Sequence, residues 1–392
     1  MFRNEDVNIE ALRRKAYNYR WAEQEEGVIP LTAADPDFPV APEILSAIQS
    51  YASDGYFSYG PPHGMPDFKR AIAAYYKRNY NATIEASLVL PVNSAAYGLY
   101  TVMKHVLTGK QDNVIIPDPV DFLFRKSVES TGAEVRTCPL QIGSANFDLD
   151  QLVNLIDENT KAVMICNPNN PMGLQIEPQH LQALIHLAEA SGIYIISDEI
   201  WADIHFGKST CSLFSDQLSR YKKAIVVSGL SKNYGLAGLR VGYIATREEE
   251  IYQSIFNCSG HATTAFGLQG LAQAAGTAAL NECGYWLEAF RQHLKEMKHL
   301  SMEILSKSKL LQLTETDATY LLFPKINDET ISSEKYIEFI KQTAKVALVP
   351  GGVNWFEKAS EGRVRICFAS SKAILSEALE RVVLSESSFM NS

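Results

Sequence analysis

The 392-residue sequence is informative first for what it lacks. No apolar run approaches the ~20 residues that a helix needs to cross a bilayer. The opening stretch, "MFRNEDVNIEALRRK", has no apolar centre of the kind that marks a secretory leader, so a cytoplasmic setting is expected. Basic residues are in the minority, 36 Lys and Arg against 45 Asp and Glu, and a net charge of −9 argues against nucleic acid or an anionic membrane as partner. The six cysteines (Cys138, Cys166, Cys211, Cys258, Cys283 and Cys367) lie far apart and form no Cys-x-x-Cys pair. Six buried free thiols in a reducing compartment are expected. The eight histidines are equally scattered, which gives a metal site little support. There is no Gly-x-Ser-x-Gly, no Ser-His neighbourhood and no glycine-rich fingerprint after the first apolar run, so hydrolase and dinucleotide-dependent oxidoreductase readings lack their usual marks. Internal repeats, low-complexity tracts and long linkers are also missing.

What is present is ordinary globular composition, 46% hydrophobic and 21% charged, in a chain long enough for one or two domains. Its middle alternates short apolar runs with helical patterns. The runs are Leu88–Val92, Val114–Ile116, Ala162–Cys166, Ile193–Ile196 and Ala224–Val227. Between two of them, Leu181, Leu184, Ile185 and Ala188 fall on one helical face, with Pro178 near the start and Gly192 just past the end. Near-continuous apolar strands alternating with amphipathic helices imply a mostly parallel sheet covered on both faces, an α/β fold. The last third differs. "ATYLLFP", "VALVPGG" and "RVRICFAS" read as strands, and "SEKYIEFIKQTAK" and "KAILSEALERVVLS" as helices. The expected division is a large α/β domain over 43–275 and a small α+β domain made of 1–42 plus 276–392.

Each apolar run ends in polar residues: Asn93-Ser94-Ala95-Ala96, "PDPVDFLF", "NPNNPMG", "SDEIWADI" and "SGLSK". In a doubly wound sheet, ligands bind outside the carboxyl ends of the strands, so these five segments can converge. They would bring Asn170, Asp198 and Lys232 together. A lone lysine is normally a solvated charge, and burying one is costly unless it is paired or chemically used. A lysine in an apolar pocket can form a Schiff base with an aldehyde. Pyridoxal phosphate is such an aldehyde, and its use as an electron sink calls for an acidic partner at the pyridine nitrogen. Asp198 has the right chemistry, because a carboxylate favours the pyridinium.

"NPNNPMG", "SDEIWADI", "SKNYGLAGLRVGY" and "RVRICFA" together resemble the fold-type I pyridoxal-phosphate enzymes, in particular the class I/II aminotransferases. The match runs in order from "AADPDF" at residues 33–38 to Arg365. The resemblance implies a mostly parallel, largely seven-stranded sheet sandwiched by helices, with a smaller α+β domain. It implies that Lys232 is the Schiff-base lysine and the proton shuttle between Cα and C4′. Asp198 would partner the pyridinium, and Asn170 would hydrogen-bond the cofactor's O3′. Trp201 stands where many relatives carry a tyrosine that also reaches O3′. Arg240, eight residues after Lys232, would bind the phosphate with Ser94, Ala95 and Ala96 at a helix start. Tyr59, in "FSYGPPHG", would cross from a partner subunit to the phosphate, which makes the active site that of a homodimer. Arg365 would pair with the substrate α-carboxylate, and Ala34 would line that pocket. In "PDPVDFLF" the resemblance implies an aromatic two residues after the second proline; Asp121 stands there, so either Phe122 covers the ring, which is the expectation, or Asp121 touches cofactor or substrate. Met172 and Gly229 replace the usual threonine and serine.

The implied activity is transfer of an amino group from an L-amino acid to a 2-oxo acid. The nearest alternative expels a β-thiol, as cystathionine β-lyases do. "ADPDF" and "SDEIWADI" lean that way, whereas Arg240 and "YGPPHG" lean to transamination. An alternative of another class is a cofactor-binding regulator without catalysis, against which stand Lys232, Asp198 and Arg365 together. Trp21, Phe38 and Trp355 are candidates for favouring an apolar or aromatic substrate side chain.

Overall fold

The computed structural model describes residues 1–141 and 143–389; the end of the expected small domain, 390–392, lies outside the described residues. All five apolar runs become strands of one sheet, joined by two more. The seven are β1 Val89–Asn93, β2 Asn113–Asp118, β3 Glu134–Pro139, β4 Thr160–Cys166, β5 Tyr194–Asp198, β6 Ala224–Gly229 and β7 Val241–Ala245. Their order is β1-β7-β6-β5-β4-β2-β3, and every pairing is parallel except those of β7 with β1 and β6.

Alternate residues of these strands enter different cores. Val163, Ile165, Ile195 and Val226 join one, and Ala162, Met164, Ile196, Ile225 and Val227 the other. A period of two with both faces covered explains why the runs show no polar alternation. The strand β3 escapes a hydrophobic reading because it is a half-exposed edge in which only Cys138 is buried. Helix Pro178–Ser191 buries Leu181, Leu184, Ile185 and Ala188, and Gly192 ends it at φ 67°, donating its N–H to Ala188 and Glu189.

The position of β7 matters most for function. It runs back against β6, so both ends of the intervening loop, 230–240, lie at the carboxyl edge of the sheet. Lys232 and Arg240 therefore share one edge although eight residues separate them.

In the last third the strands are shorter than their apolar runs. Val364–Cys367 pairs antiparallel with Leu321–Leu322 on one side and Val349–Pro350 on the other. Helices Ser333–Thr343 and Lys372–Phe389 follow the expected patterns, and Gly284–Leu305 adds a 22-residue helix. Ile29–Pro30 pairs in parallel with Val346–Ala347, which ties the amino-terminal segment to the carboxyl-terminal third. We propose division into two units near residues 43 and 275, supported by that pairing. The six cysteines are free, and Cys258 is half-exposed rather than buried. No described helix is long and apolar enough to cross a membrane.

Candidate active site

The strand ends open into a cavity of about 560 Å³. Ala34, Ser94, Ala95, Ala96, Phe122, Asn170, Asp198, Trp201, Lys232, Arg240 and Arg365 all line it. Of the residues singled out from sequence, Tyr59 lies elsewhere: it is 83% exposed and stacks on Phe266 at 4.5 Å between ring centres.

Lys232 reaches the cavity floor half-buried. Its Nζ donates to the carbonyl of Ala34 at 2.7 Å and lies 5.5 Å from the centre of the Trp201 ring. Burial pulls its pKa below the ordinary lysine value, a shift opposed by Asp35 and assisted by Arg365. Ala34 is held by its neighbours: a buried Arg20–Asp37 ion pair anchors "AADPDF", and Arg20 Nη1 donates to the Ala33 carbonyl at 3.1 Å. Trp21 belongs to that anchor, donating Nε1–H to Asp37 at 2.7 Å. Phe38 packs edge-on to Phe2 and His293. Both are core residues, and of the three candidate specificity aromatics only Trp355 lines the cavity.

Asp198 ends β5 with one oxygen taking the Ile200 N–H at 3.0 Å. Its pKa is pushed up to about 7, first by burial and further by Asp121 and Glu199. A carboxylate in this state is primed to accept a cationic partner on its cavity side. Trp201 is buried, with its ring edge-on to Tyr320 at 4.6 Å.

The other end of the cavity suits an anion. Ser94, at φ 87°, caps helix Ala95–Val106, its Oγ accepting from Tyr97 N–H at 3.3 Å. First-turn N–H groups have no partner inside a helix, so those of Ala95 and Ala96 are free for a ligand there. Arg240 projects alongside from a left-handed backbone position, φ 56°, and among the described residues its guanidinium has no hydrogen-bond or ion-pair partner. Two glycines allow close backbone approach here, Gly242 to this loop and Gly229 to β7. A Cβ on Gly242 would sit 2.3 Å from the Ser94 carbonyl carbon, and one on Gly229 would sit 2.6 Å from the Val241 oxygen.

Opposite, Arg365 is buried on the strand Val364–Cys367. Its Nη1 donates to Asn170 Oδ1 at 3.1 Å and its Nη2 to the Thr32 carbonyl at 3.2 Å, while Nε is buried without a partner. Asn170 Nδ2 donates to Asp121 at 2.8 Å. Phe122 lies edge-on to Trp355 at 6.0 Å, and Trp355 to Tyr19 at 5.7 Å. Met172 packs outside the cavity with Phe323 and Phe356. Polar and aromatic lining residues not singled out from sequence include Asn18, Tyr19, Lys126, Ser231 and Asn354. Ser231 adjoins Lys232 and was findable from the motif. Asn18 and Tyr19 come from a segment with no marker beyond the asparagine.

The donor set fits pyridoxal phosphate: an unpartnered guanidinium beside a helix start, a buried carboxylate with a raised pKa, and a lysine with a lowered one. Comparison with known proteins points the same way. The family model for aminotransferase class I and II matches residues 26–382. An aspartate aminotransferase of Pyrococcus horikoshii is 28% identical over 92% of this chain and 91% of its own. One from Thermotoga maritima is 30% identical over 91% of each chain. A solved aspartate aminotransferase structure from Thermotoga maritima superposes with a TM-score of 0.82 at 27% identity, covering 99% of this chain and 96% of that one. A match of this length, with the cavity at the sheet edge where the fold places ligands, means that the chain belongs to the class I and II aminotransferases, enzymes that transfer amino groups with pyridoxal phosphate.

Proposed function

We propose that amino transfer takes place in this cavity and that Lys232 carries both the cofactor and the reacting proton. The supporting observation is the state of Lys232: a lysine at the cavity floor, its pKa lowered by burial, hydrogen-bonded to the Ala34 carbonyl. A lowered pKa raises the fraction of neutral amine, the form that attacks an aldehyde and takes a proton. Bound pyridoxal phosphate supplies an electron sink for the charge left at the substrate Cα. In this reading Asp198 would keep a proton on the cofactor's ring nitrogen, Asn170 and Trp201 would hold the cofactor from the cavity wall, and Phe122 would cover it. Arg240 holds the phosphate with the Ser94, Ala95 and Ala96 loop. Arg365 takes the α-carboxylate with its remaining N–H groups beside the Ala34 backbone, which orients the Cα proton toward Lys232 Nζ.

We infer that a second copy of the chain supplies Tyr59. Tyr56, Phe57 and Tyr59 are all exposed on one segment, a costly arrangement for a monomer. A cytoplasmic setting for this homodimer accords with its six free thiols.

The donor is proposed to carry an aromatic or large apolar side chain. Arg240, Arg365 and Lys232 are committed by the roles above, and Lys126 is bonded to Glu129 at 3.1 Å. Part of the remaining lining is the Tyr19–Trp355–Phe122 run of rings, beside Asn18 and Asn354. The test is to add single amino acids to the purified holoenzyme and follow the cofactor spectrum and the products. Conversion to the pyridoxamine form with release of the 2-oxo acid is expected. Pyruvate, ammonia and thiol from cystathionine would replace transfer with β-elimination. A higher kcat/KM for aspartate than for phenylalanine or tyrosine would defeat the side-chain assignment.

A further inference from the structure

Asp121 occupies a position where the chain resembles enzymes that carry an aromatic ring, and its carboxylate is turned to a specific task. One oxygen takes the Leu123 N–H at 3.0 Å and the other takes Asn170 Nδ2–H at 2.8 Å. Asn170 Oδ1 then accepts from Arg365 Nη1 at 3.1 Å. The polarity of this chain is forced by chemistry. A guanidinium has only donors and a carboxylate only acceptors, so an amide between them must show nitrogen to Asp121 and oxygen to Arg365. We propose that Asp121 is a positioning residue: it fixes the Asn170 amide, which together with the Thr32 carbonyl aims the Arg365 guanidinium into the cavity.

The consequence concerns how many donors Arg365 has left. Of its five N–H groups, one goes to Asn170 and one to Thr32. That leaves Nε–H and one hydrogen on each Nη for a ligand, and Nε is already buried without a partner. Two fixed contacts hold the planar group at one tilt, so the free donors are pre-arranged and less entropy is lost on binding a carboxylate.

The inference rests on the reading that Arg365 takes the substrate carboxylate, and the test separates the two. In Asp121→Asn a single oxygen must serve two donors. Whichever it serves, an NH₂ group meets another donor, at Leu123 N or, through a reversed Asn170 amide, at Arg365. The measurement is the Kd of maleate and of 3-phenylpropanoate, unreactive carboxylates, by calorimetry on the holoenzyme, with KM and kcat for the best amino donor. Asp121→Asn is expected to weaken carboxylate binding and raise KM about 10-fold, the size of one lost charge-assisted contact, with kcat changed less. In an Asn170→Ala background the same substitution should have under about a 2-fold effect, because its route to Arg365 is gone. Asp121→Ser, which removes the carboxylate without adding amide donors, should fall between wild type and Asp121→Asn and serves if the latter does not fold. Wild-type Kd and KM in both variants, or an undiminished effect in the Asn170→Ala background, would overturn the proposal. Unchanged Kd and KM in Arg365→Lys would instead remove the carboxylate role of Arg365 itself.

Discussion

Asp198 and Glu199 are consecutive residues, yet they enter regions built on opposite rules. Both are buried, and both have pKa values pushed up to about 7, chiefly by burial. Glu199 points away from the cavity into a closed network. It accepts from Ser212 Oγ and Leu213 N–H at 2.7 Å each and from Tyr76 OH at 3.3 Å. Asp198 takes one backbone N–H and turns its remaining acceptor capacity to the cavity. A raised pKa alone therefore does not mark a functional carboxylate. What separates the two is whether the protein supplies all the partners, as it does for a structural group, or leaves room for a ligand to complete them.

Substitutions should divide along the same line, with the cavity side losing activity and the closed side losing stability. Lys232→Ala is the largest expected effect. Turnover should fall by about 10³-fold or more, the scale of a lost general base, while the melting temperature of the cofactor-free protein stays near wild type. Retained turnover would break the comparison at its centre. Asp198→Asn should cost about 10²-fold in kcat, the scale of a lost preorganised electrostatic partner. Glu199→Gln should change kcat by less than about 5-fold but destabilise by about 1–3 kcal/mol in a denaturant titration, because an amide NH₂ would face donors that now meet a carboxylate. An activity loss there as large as in Asp198→Asn would erase the distinction.

A smaller effect follows from pH. Burial raises Asp198 from 3.8 and Glu199 from 4.5, each to about 7, so between about pH 4 and 7 the folded chain keeps protons that the unfolded chain releases. Their contribution to the stability of the cofactor-free protein therefore falls as pH rises through that window and levels off above it. Melting curves of Asp198→Asn should drop less steeply than wild type from pH 4 to 7; parallel curves would contradict the raised pKa. The smallest expected change is at the cavity mouth, where Trp355→Ala should raise KM for an aromatic donor by up to about 10-fold and leave that for alanine within about 2-fold.

Five of the seven strands were readable from sequence as apolar runs; Val241–Ala245 was not, although it is buried throughout, because it lies inside the glycine-rich stretch that reads as a loop motif. The edge strand Glu134–Pro139 was not, since exposure removes that signal. The convergence of Asn170, Asp198 and Lys232 was legible from the polar ends of the runs, and Arg240 joined them because β7 returns along β6. Tyr19 and Asn18 were hidden because their position depends on the pairing of Ile29–Pro30 with Val346–Ala347, a contact more than 300 residues apart in sequence that no local pattern encodes. Asp121 was noticed as a departure, but its role depends on an amide 49 residues away.

The two glycines at the anion-binding end also constrain which sequences this chain can reach by single substitutions. Serine at position 229 is the residue that the family resemblance leads one to expect, and its hydroxyl would add a ligand contact. Here its Cβ would arrive 2.6 Å from the Val241 oxygen before any hydroxyl could be used, and a side chain at 242 would meet Ser94 in the same way. The order of changes therefore matters. Strand β6 must move from β7 before Gly229 can be replaced, and β7 from the loop at Ser94 before Gly242 can, so each intermediate on that path would loosen the site it was meant to improve.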